Sequence, residues 1–320
     1  MNKATHCIAS TLALAVTSTG HAAIFAGFDD QTDIGTTYGT ANDTGQQTAV
    51  DQYGGIAGDG WTGGWNTWTG SGDPNYTREK TVLNADPLVG GSGNYLRIAS
   101  TSTSTSPRWA VYRDLTSTSS IDLTQPGTVS FLYRLDDASL FQTGGSSFIQ
   151  ILGGARWGFN RDEATWAIAS VGGASRTWGV NDGNGLGGGT VTDTGLEIIE
   201  GDTFSFVIDA DPIASTYEIS ITNLDTGDSF TSTSPLGFAE SQAGNNAQGD
   251  PLGNTFGESI WFVQQAFRAG TEAEPIANTF AASIDSISIT PIPEPASVVL
   301  IGMGAFTLLS RRRRRFTFDG

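Results

Sequence analysis

The stretch Thr216-Tyr217-Glu218-Ile219-Ser220-Ile221-Thr222 decides the fold class. Larger apolar and polar residues alternate at every step, so a strand places Tyr217, Ile219 and Ile221 on one face and Glu218 and Ser220 on the other. Immediately upstream, Phe204-Ser205-Phe206-Val207-Ile208 alternates in the same way. Asp209-Ala210-Asp211-Pro212 joins the two runs, and its composition is that of a turn.

The same period recurs outward from this pair. Val129-Ser130-Phe131-Leu132-Tyr133-Arg134 carries Val129, Phe131 and Tyr133 on its larger face. Further strands are expected at Tyr95–Ala99, Trp109–Asp114, Ser147–Leu152, Trp166–Val171, Ile260–Arg268 and Ala282–Ile289. No amphipathic helix of useful length interrupts them. Many strands, Gly- and Asp-rich turns and no helical crossovers predict an all-β, antiparallel β-sandwich. The polar stretches Gly183–Thr194 and Ser241–Thr255 read as long surface loops, so one domain is expected over residues 23–290.

Composition narrows the function classes. The chain has 320 residues, 42 glycines, 15% charged residues and a formal net charge of −17. Six of its 16 basic residues, Lys3 and Arg311–Arg315, lie at the ends; the remaining 10 face 31 acidic residues between Ala23 and Thr290. A body near −21 repels phosphate backbones, which argues against a nucleic-acid partner. The single cysteine, Cys7, and both histidines, His6 and His21, lie in the first 22 residues. Without that leader the chain holds no disulfide, no Cys or His metal site and no histidine base.

Residues 1–22 read as a signal peptide, with Lys3 as the positive region and Ile8–Val16 as the apolar core. Gly20 and Ala22 are small residues where a signal peptidase reads, placing cleavage after Ala22. At the other end, Pro291-Ile292-Pro293-Glu294-Pro295 precedes the apolar run Ala296–Leu309 and then Arg311, Arg312, Arg313, Arg314 and Arg315. An apolar run ending on five arginines is a stop-transfer arrangement, with the arginines on the cytoplasmic side. The run is shorter than the roughly 20 residues of a full transmembrane helix. Arginine snorkelling and a locally thinned bilayer accommodate the shortfall.

Pro-Glu-Pro, a short apolar helix and a terminal basic cluster together resemble the PEP-CTERM sorting signal of Gram-negative bacteria, also catalogued as an ice-binding-protein C-terminal domain. The resemblance implies an exosortase as partner, with Pro293, Glu294 and Pro295 as its recognition tripeptide and residues 291–315 as the signal. It implies an exported protein, anchored in the inner membrane with its ectodomain in the periplasm, and at the cell surface or extracellular after processing. Residues 316–320 extend the chain on the cytoplasmic side.

Phe28-Asp29, Tyr53-Gly54-Gly55, Gly60-Trp61, Gly64-Trp65 and Ile284-Asp285-Ser286-Ile287 resemble the concanavalin A-like (laminin G-like) jelly rolls. That resemblance implies first and last strands lying side by side, and a sandwich that suits contact with extracellular polysaccharide.

Three of the eight tryptophans fall within Gly60–Trp68. Trp61 and Trp65 are expected in the core. Trp68, beside Asn66, is the candidate sugar-facing residue, because indole offers a flat apolar face with a polar N–H. Asp29, Asp30 and Asp33 near the first strand, with Asp285 on the last, are the candidate ligands for a structural Ca²⁺, with Asp209 and Asp211 as a second option; ordinary turn chemistry is the competing explanation. Asn223–Asp228 is expected to be a hairpin turn. Glycoside hydrolases of this fold carry Glu-x-Asp-x-Glu or Glu-x-Asp-x-x-Glu on one strand; neither pattern occurs, and Glu197, Glu200 and Asp202 do not share a strand face. The Ser and Thr runs lack the period of an ice-binding face. The sequence therefore points to a non-enzymatic structural or glycan-associated envelope protein, with a lectin-like module as the alternative and a hydrolase as a distant third.

Overall fold

The computed structural model describes residues 24–26, 28–29, 35, 37–38, 61, 65–69, 77–91, 93–102, 108–115, 121–137, 139, 148–154, 164–171, 176–239, 244–245, 251–252, 259–265 and 278–292. In chain order the strands begin with β1 (Ile24–Ala26), β2 (Thr37–Tyr38), β3 (Asn66–Thr69), β4 (Thr77–Leu83), β5 (Tyr95–Ser102) and β6 (Arg108–Asp114). Next come β7 (Gly127–Asp137), β8 (Phe148–Gly153), β9 (Trp166–Val171), β10 (Thr177–Gly183), β11 (Gly189–Glu197), β12 (Thr203–Asp211) and β13 (Thr216–Asn223). The last are β14 (Ser229–Thr231), β15 (Leu236–Gly237), β16 (Gly244–Asn245), β17 (Pro251–Leu252), β18 (Ser259–Gln265) and β19 (Asn278–Pro291).

They form two antiparallel sheets and one small ribbon. The large sheet runs β14-β13-β12-β7-β19-β5-β4-β2, with β1 beside β19 and β15 beside β13; the small sheet runs β11-β10-β9-β8-β18-β6-β3. The inward residues of both make one core. Phe131 and Tyr133 of β7 meet Phe262 of β18 and Trp178 of β10, with Phe131–Phe262 and Tyr133–Trp178 edge-on at 5.6 and 5.7 Å. Tyr217, Ile219 and Ile221 are all buried, as their alternation predicts. Such interdigitated aromatics hold the two sheets face to face.

Strand β19 is the spine. On one side it pairs with β7; on the other it pairs with β5 through Ile284 and with β1 from Ile287 to Ile289. The change of partner coincides with a register shift between Asp285 and Ser288, where Ser286 has φ 53. An extra residue at such a bulge bends the strand and increases its twist. The first and last strands are thus neighbours, as the jelly-roll resemblance implies.

Two expectations change. Gly183–Thr194 is not a loop: it holds the end of β10, a tight turn and most of β11, paired from Gly179–Asp193 to Gly183–Gly189. β11 is exposed over most of its length and buries only Leu196, so no apolar alternation marks it. Within Ser241–Thr255, β16 and β17 pair as a short ribbon.

Candidate functional site

The C-terminal exit is built by backbone pairing. Pro291, the last residue of β19, pairs with Gly127, and the Ile292 N–H donates to the Pro126 carbonyl at 2.9 Å. Pro293, Glu294, Pro295 and Arg311–Arg315 lie outside the described residues, as do the leader and the Ala296–Leu309 run. The motif therefore begins where the central strand ends. Ile24 pairs with Ile289, so the start of β1 stands at the same end of the sheet.

That end also gathers two hairpin tips. Gly127 pairs with Ala210, which brings the β12–β13 turn beside the exit. In that turn Asp211 Oδ1 accepts the N–H groups of Ile213 and Ala214, so this carboxylate performs turn chemistry. Asp209 Oδ1 accepts the Thr128 hydroxyl at 2.5 Å. The β10–β11 turn is tied in through Phe238, whose N–H donates to Ser215 and whose carbonyl accepts from Gly185. Gly183 packs against the Phe238–Ala239 backbone so closely that a Cβ has no room. Tyr217 Oη donates to the Asn181 carbonyl, and burial pushes its hydroxyl pKa upward.

The tryptophan segment divides as expected in part. Trp65 is fully buried against Phe28 and Phe262, and Trp61 lies beside it. Asn66 and Trp68 fall on β3, the edge strand of the small sheet, opposite Tyr112 and Ala110. Tyr112 stacks on Trp261 at 3.9 Å and 4° on the sheet's outer face. Both rings are buried, together with Ala110, Leu152, Ala164, Ala167 and Val263. This stack is therefore covered and presents no open aromatic platform.

Asp29 and Asp285 meet the same segment, the loop from Asn84 to Asn94. Asp29 Oδ1 accepts the Asn94 N–H at 2.9 Å, and Asp285 lies buried beneath Gly91, where a Cβ has no room. Asp285 Oδ1 also accepts the Ser286 N–H at 2.6 Å, which secures the bulge. Calcium takes six to eight oxygens. Among the described residues no three Asp, Glu, His or Cys side chains gather; Asp30 and Asp33, the other two acids of this group, lie outside the described residues.

Arg134 fastens the same loop. Its Nε donates to Asp136 Oδ1 at 2.7 Å, its Nη1 donates to the Asp86 carbonyl at 3.0 Å, and its guanidinium stands 5.4 Å from the Tyr95 ring centroid. Burial works against the guanidinium charge, but the Asp136 hydrogen bond and charge outweigh it and raise the pKa. Burial likewise raises the Tyr95 hydroxyl, against the opposing pull of Arg134.

Sequence reasoning missed the buried cations. Lys80, Arg78, Arg113 and Arg134 are four of the ten basic residues of the body, and all are buried. Lys80 Nζ donates to the Trp65 carbonyl at 2.9 Å, and Arg113 lies 4.7 Å from the Trp61 ring. Thr77–Leu83 reads Thr-Arg-Glu-Lys-Thr-Val-Leu, so its buried positions carry charges and no apolar period marks it. Glu197 closes β11, whereas Glu200 and Asp202 occupy the turn before β12. Asp202 accepts from Asn223 Nδ2 at 2.7 Å. Asn223–Asp228 is the expected hairpin turn, with Asn223 Oδ1 accepting from Asp225 and Thr226.

Residues 291–315 match the PEP-CTERM protein-sorting motif. No curated protein matches the chain. Among solved structures it is similar to a GH131 beta-glucanase catalytic domain from Podospora anserina, at 9% identity over 67% of this chain and 80% of that one, TM-score 0.41. It is similar to the PL-14 alginate lyase from Aplysia kurodai, at 8% identity over 67% and 87%, TM-score 0.39. Peanut lectin aligns at 11% identity over 72% and 99%, TM-score 0.35. At these values the likenesses bear on neither activity nor ligand.

Proposed function

We propose that this chain is the precursor of an exported, non-enzymatic envelope protein, whose β-sandwich is delivered to the cell surface or matrix when an exosortase removes the tail. The observation that carries this reading is the PEP-CTERM motif at residues 291–315, beginning on the last residue of the sandwich's central strand. All the β19 pairings among the described residues lie between Asn278 and Pro291, so the sandwich keeps its spine when the tail leaves. In this reading the leader directs export through signal peptidase, the apolar run holds the precursor in the inner membrane, and Arg311–Arg315 stop transfer. The role after release is structural or glycan-associated. The acidic body suits solubility outside the cell, and the carboxylates nearest a hydrolase pattern are divided between a strand end and a turn.

A lectin-like module is the second reading. It is favoured by the placement of Asn66 and Trp68 on β3, the edge strand of the small sheet, opposite Tyr112 and Ala110. A glycan array on the tailless protein, beside its Trp68→Ala variant, separates a defined sugar site from a purely structural role.

The sorting reading is tested with Glu294→Ala in the full precursor. Loss of the recognition carboxylate leaves the tail attached and the protein in the membrane fraction, read by fractionation and mass spectrometry of the C-terminus. Normal tail removal from this variant overturns the assignment.

A further inference from the structure

Six large hydrophobic residues are notably exposed among the described residues: Phe25, Val89, Leu186, Ile199, Ile213 and Ile292. Three of them lie at the end of the sandwich where the sorting motif leaves. Ile213 is 69% exposed at the tip of the β12–β13 turn, and Leu186 is 68% exposed at the tip of the β10–β11 turn. Each tip comes from a different sheet, and both are fastened to Phe238 by backbone hydrogen bonds. Ile292 is 39% exposed on the exit itself. These are built positions, since Asp211, Ser215, Gly185 and Gly187 all spend hydrogen bonds holding the two turns in place.

We propose that this pole, with Ile213 and Leu186 at its centre, is a docking surface for the enzyme that processes the tail, so that recognition extends beyond the Pro293–Pro295 tripeptide to the folded body. The inference rests on the sorting reading above and deepens it. Its first support is reach. Ile292 is hydrogen-bonded into the sandwich, and successive Cα atoms are 3.8 Å apart, so Glu294 lies within about 8 Å of it. An enzyme that grips Glu294 must meet the pole. The second support is charge. The segments forming the pole, residues 121–127, 182–189, 209–217 and 236–239, contain Asp122, Asp182, Asp209 and Asp211 and no lysine or arginine. An acidic rim around aliphatic tips is complementary to an apolar protein surface rimmed by basic residues. An anionic bilayer would repel it.

The test is the rate of tail removal from the full-length precursor by its exosortase, in membranes and again in detergent. Ile213→Ser with Leu186→Ser is compared with Ile199→Ser, which alters an exposed aliphatic residue at the opposite end of β12. All are surface changes and are checked for unchanged melting. The double variant is expected to be processed at least about tenfold more slowly in both settings, as loss of two buried aliphatic contacts implies, with Ile199→Ser unaffected. Processing of the double variant at the unmodified rate overturns the docking surface. So does a defect that vanishes in detergent, because the bilayer then covers the pole. A defect shared equally by Ile199→Ser overturns it too, since the effect is then not local. Glu294→Ala keeps the two proposals separate: if it blocks processing while the double variant does not, the sorting reading stands and only the docking surface falls.

Discussion

Lys80 donates from its buried Nζ to the backbone carbonyl of Trp65 at 2.9 Å, tying β4 of the large sheet to the segment that leads into β3 of the small one. A charged hydrogen bond in a dry core contributes more than a neutral one, about 1.5–3 kcal/mol. Lys80→Met keeps most of the volume and removes the donor, leaving the carbonyl buried without this bond. We expect a loss of about 1–3 kcal/mol, measured as a lower urea midpoint with an unchanged m-value. An unchanged midpoint would mean that the carbonyl finds another donor.

Trp65 and Trp61 are expected to behave as core residues. Trp65 is fully buried between Phe28 and Phe262, so Trp65→Ala should cost about 3–5 kcal/mol. Trp61→Ala removes a ring that also covers the buried Arg113 guanidinium, and falls in the same range. Trp68→Ala on the edge strand is expected to stay within about 0.5 kcal/mol and to abolish any glycan retention. Thermal melts of the three variants decide it, and unfolding by Trp68→Ala would remove that residue as a sugar platform.

Arg134 should control the Asn84–Asn94 loop more than the sandwich beneath it. Its partners are Asp136, the Asp86 carbonyl and the Tyr95 ring; the ion pair with the Asp86 side chain adds little, because that carboxylate is 89% exposed. Arg134→Ala is expected to lower amide hydrogen-exchange protection across residues 85–94 and at Ser283, whose hydroxyl shares Asp136. Protection in β12 and β13 should hold. Uniform loss across both sheets would show that the guanidinium supports the whole fold.

How much of this was legible in the sequence depended on what each strand turns inward. β12 and β13 carry large apolar residues at every second position, so both their faces and the turn between them could be read directly. β4 could not, because Arg78 and Lys80 occupy buried positions and a charged residue gives no hydrophobic period. β10 and β11 were obscured for a different reason. Their junction, Asp182–Gly189, is rich in glycine and looks like a loop, and Gly179 is required where Val191 and Val171 leave no space for a Cβ. Asp285 was visible as an acid on the last strand, but its work at the bulge depends on Ser286 adopting a left-handed backbone, which serine does not advertise. The hairpin tips at the exit were invisible as a group, since Leu186, Ile213 and Ile292 reach the same end of the sandwich only through tertiary pairing. The sorting motif was the opposite case: three short features in fixed order needed no fold to be recognised.

The boundary between sandwich and tail supplies the sharpest structural prediction. β19 pairs with β7 through Pro291, and Ile292 adds one further bond to Pro126; no described hydrogen bond requires anything beyond Ile292. A chain of residues 23–292 should therefore melt in a single transition, with the same midpoint in reducing and oxidising buffer, because it contains no cysteine. A chain ending at Ser283 keeps most of the β5 pairing but loses Ile284, Ile287 and Ile289 from the core, the bulge carboxylate Asp285 and the whole partner edge of β1. Each buried isoleucine contributes roughly 1.5–3 kcal/mol, and three exceed the margin of a domain stable by about 5–15 kcal/mol once the lost strand pairing is added. The shorter chain should show no cooperative transition by circular dichroism. If it folds, β19 is not the spine of the large sheet, and the start of the sorting signal does not mark the end of the structural core.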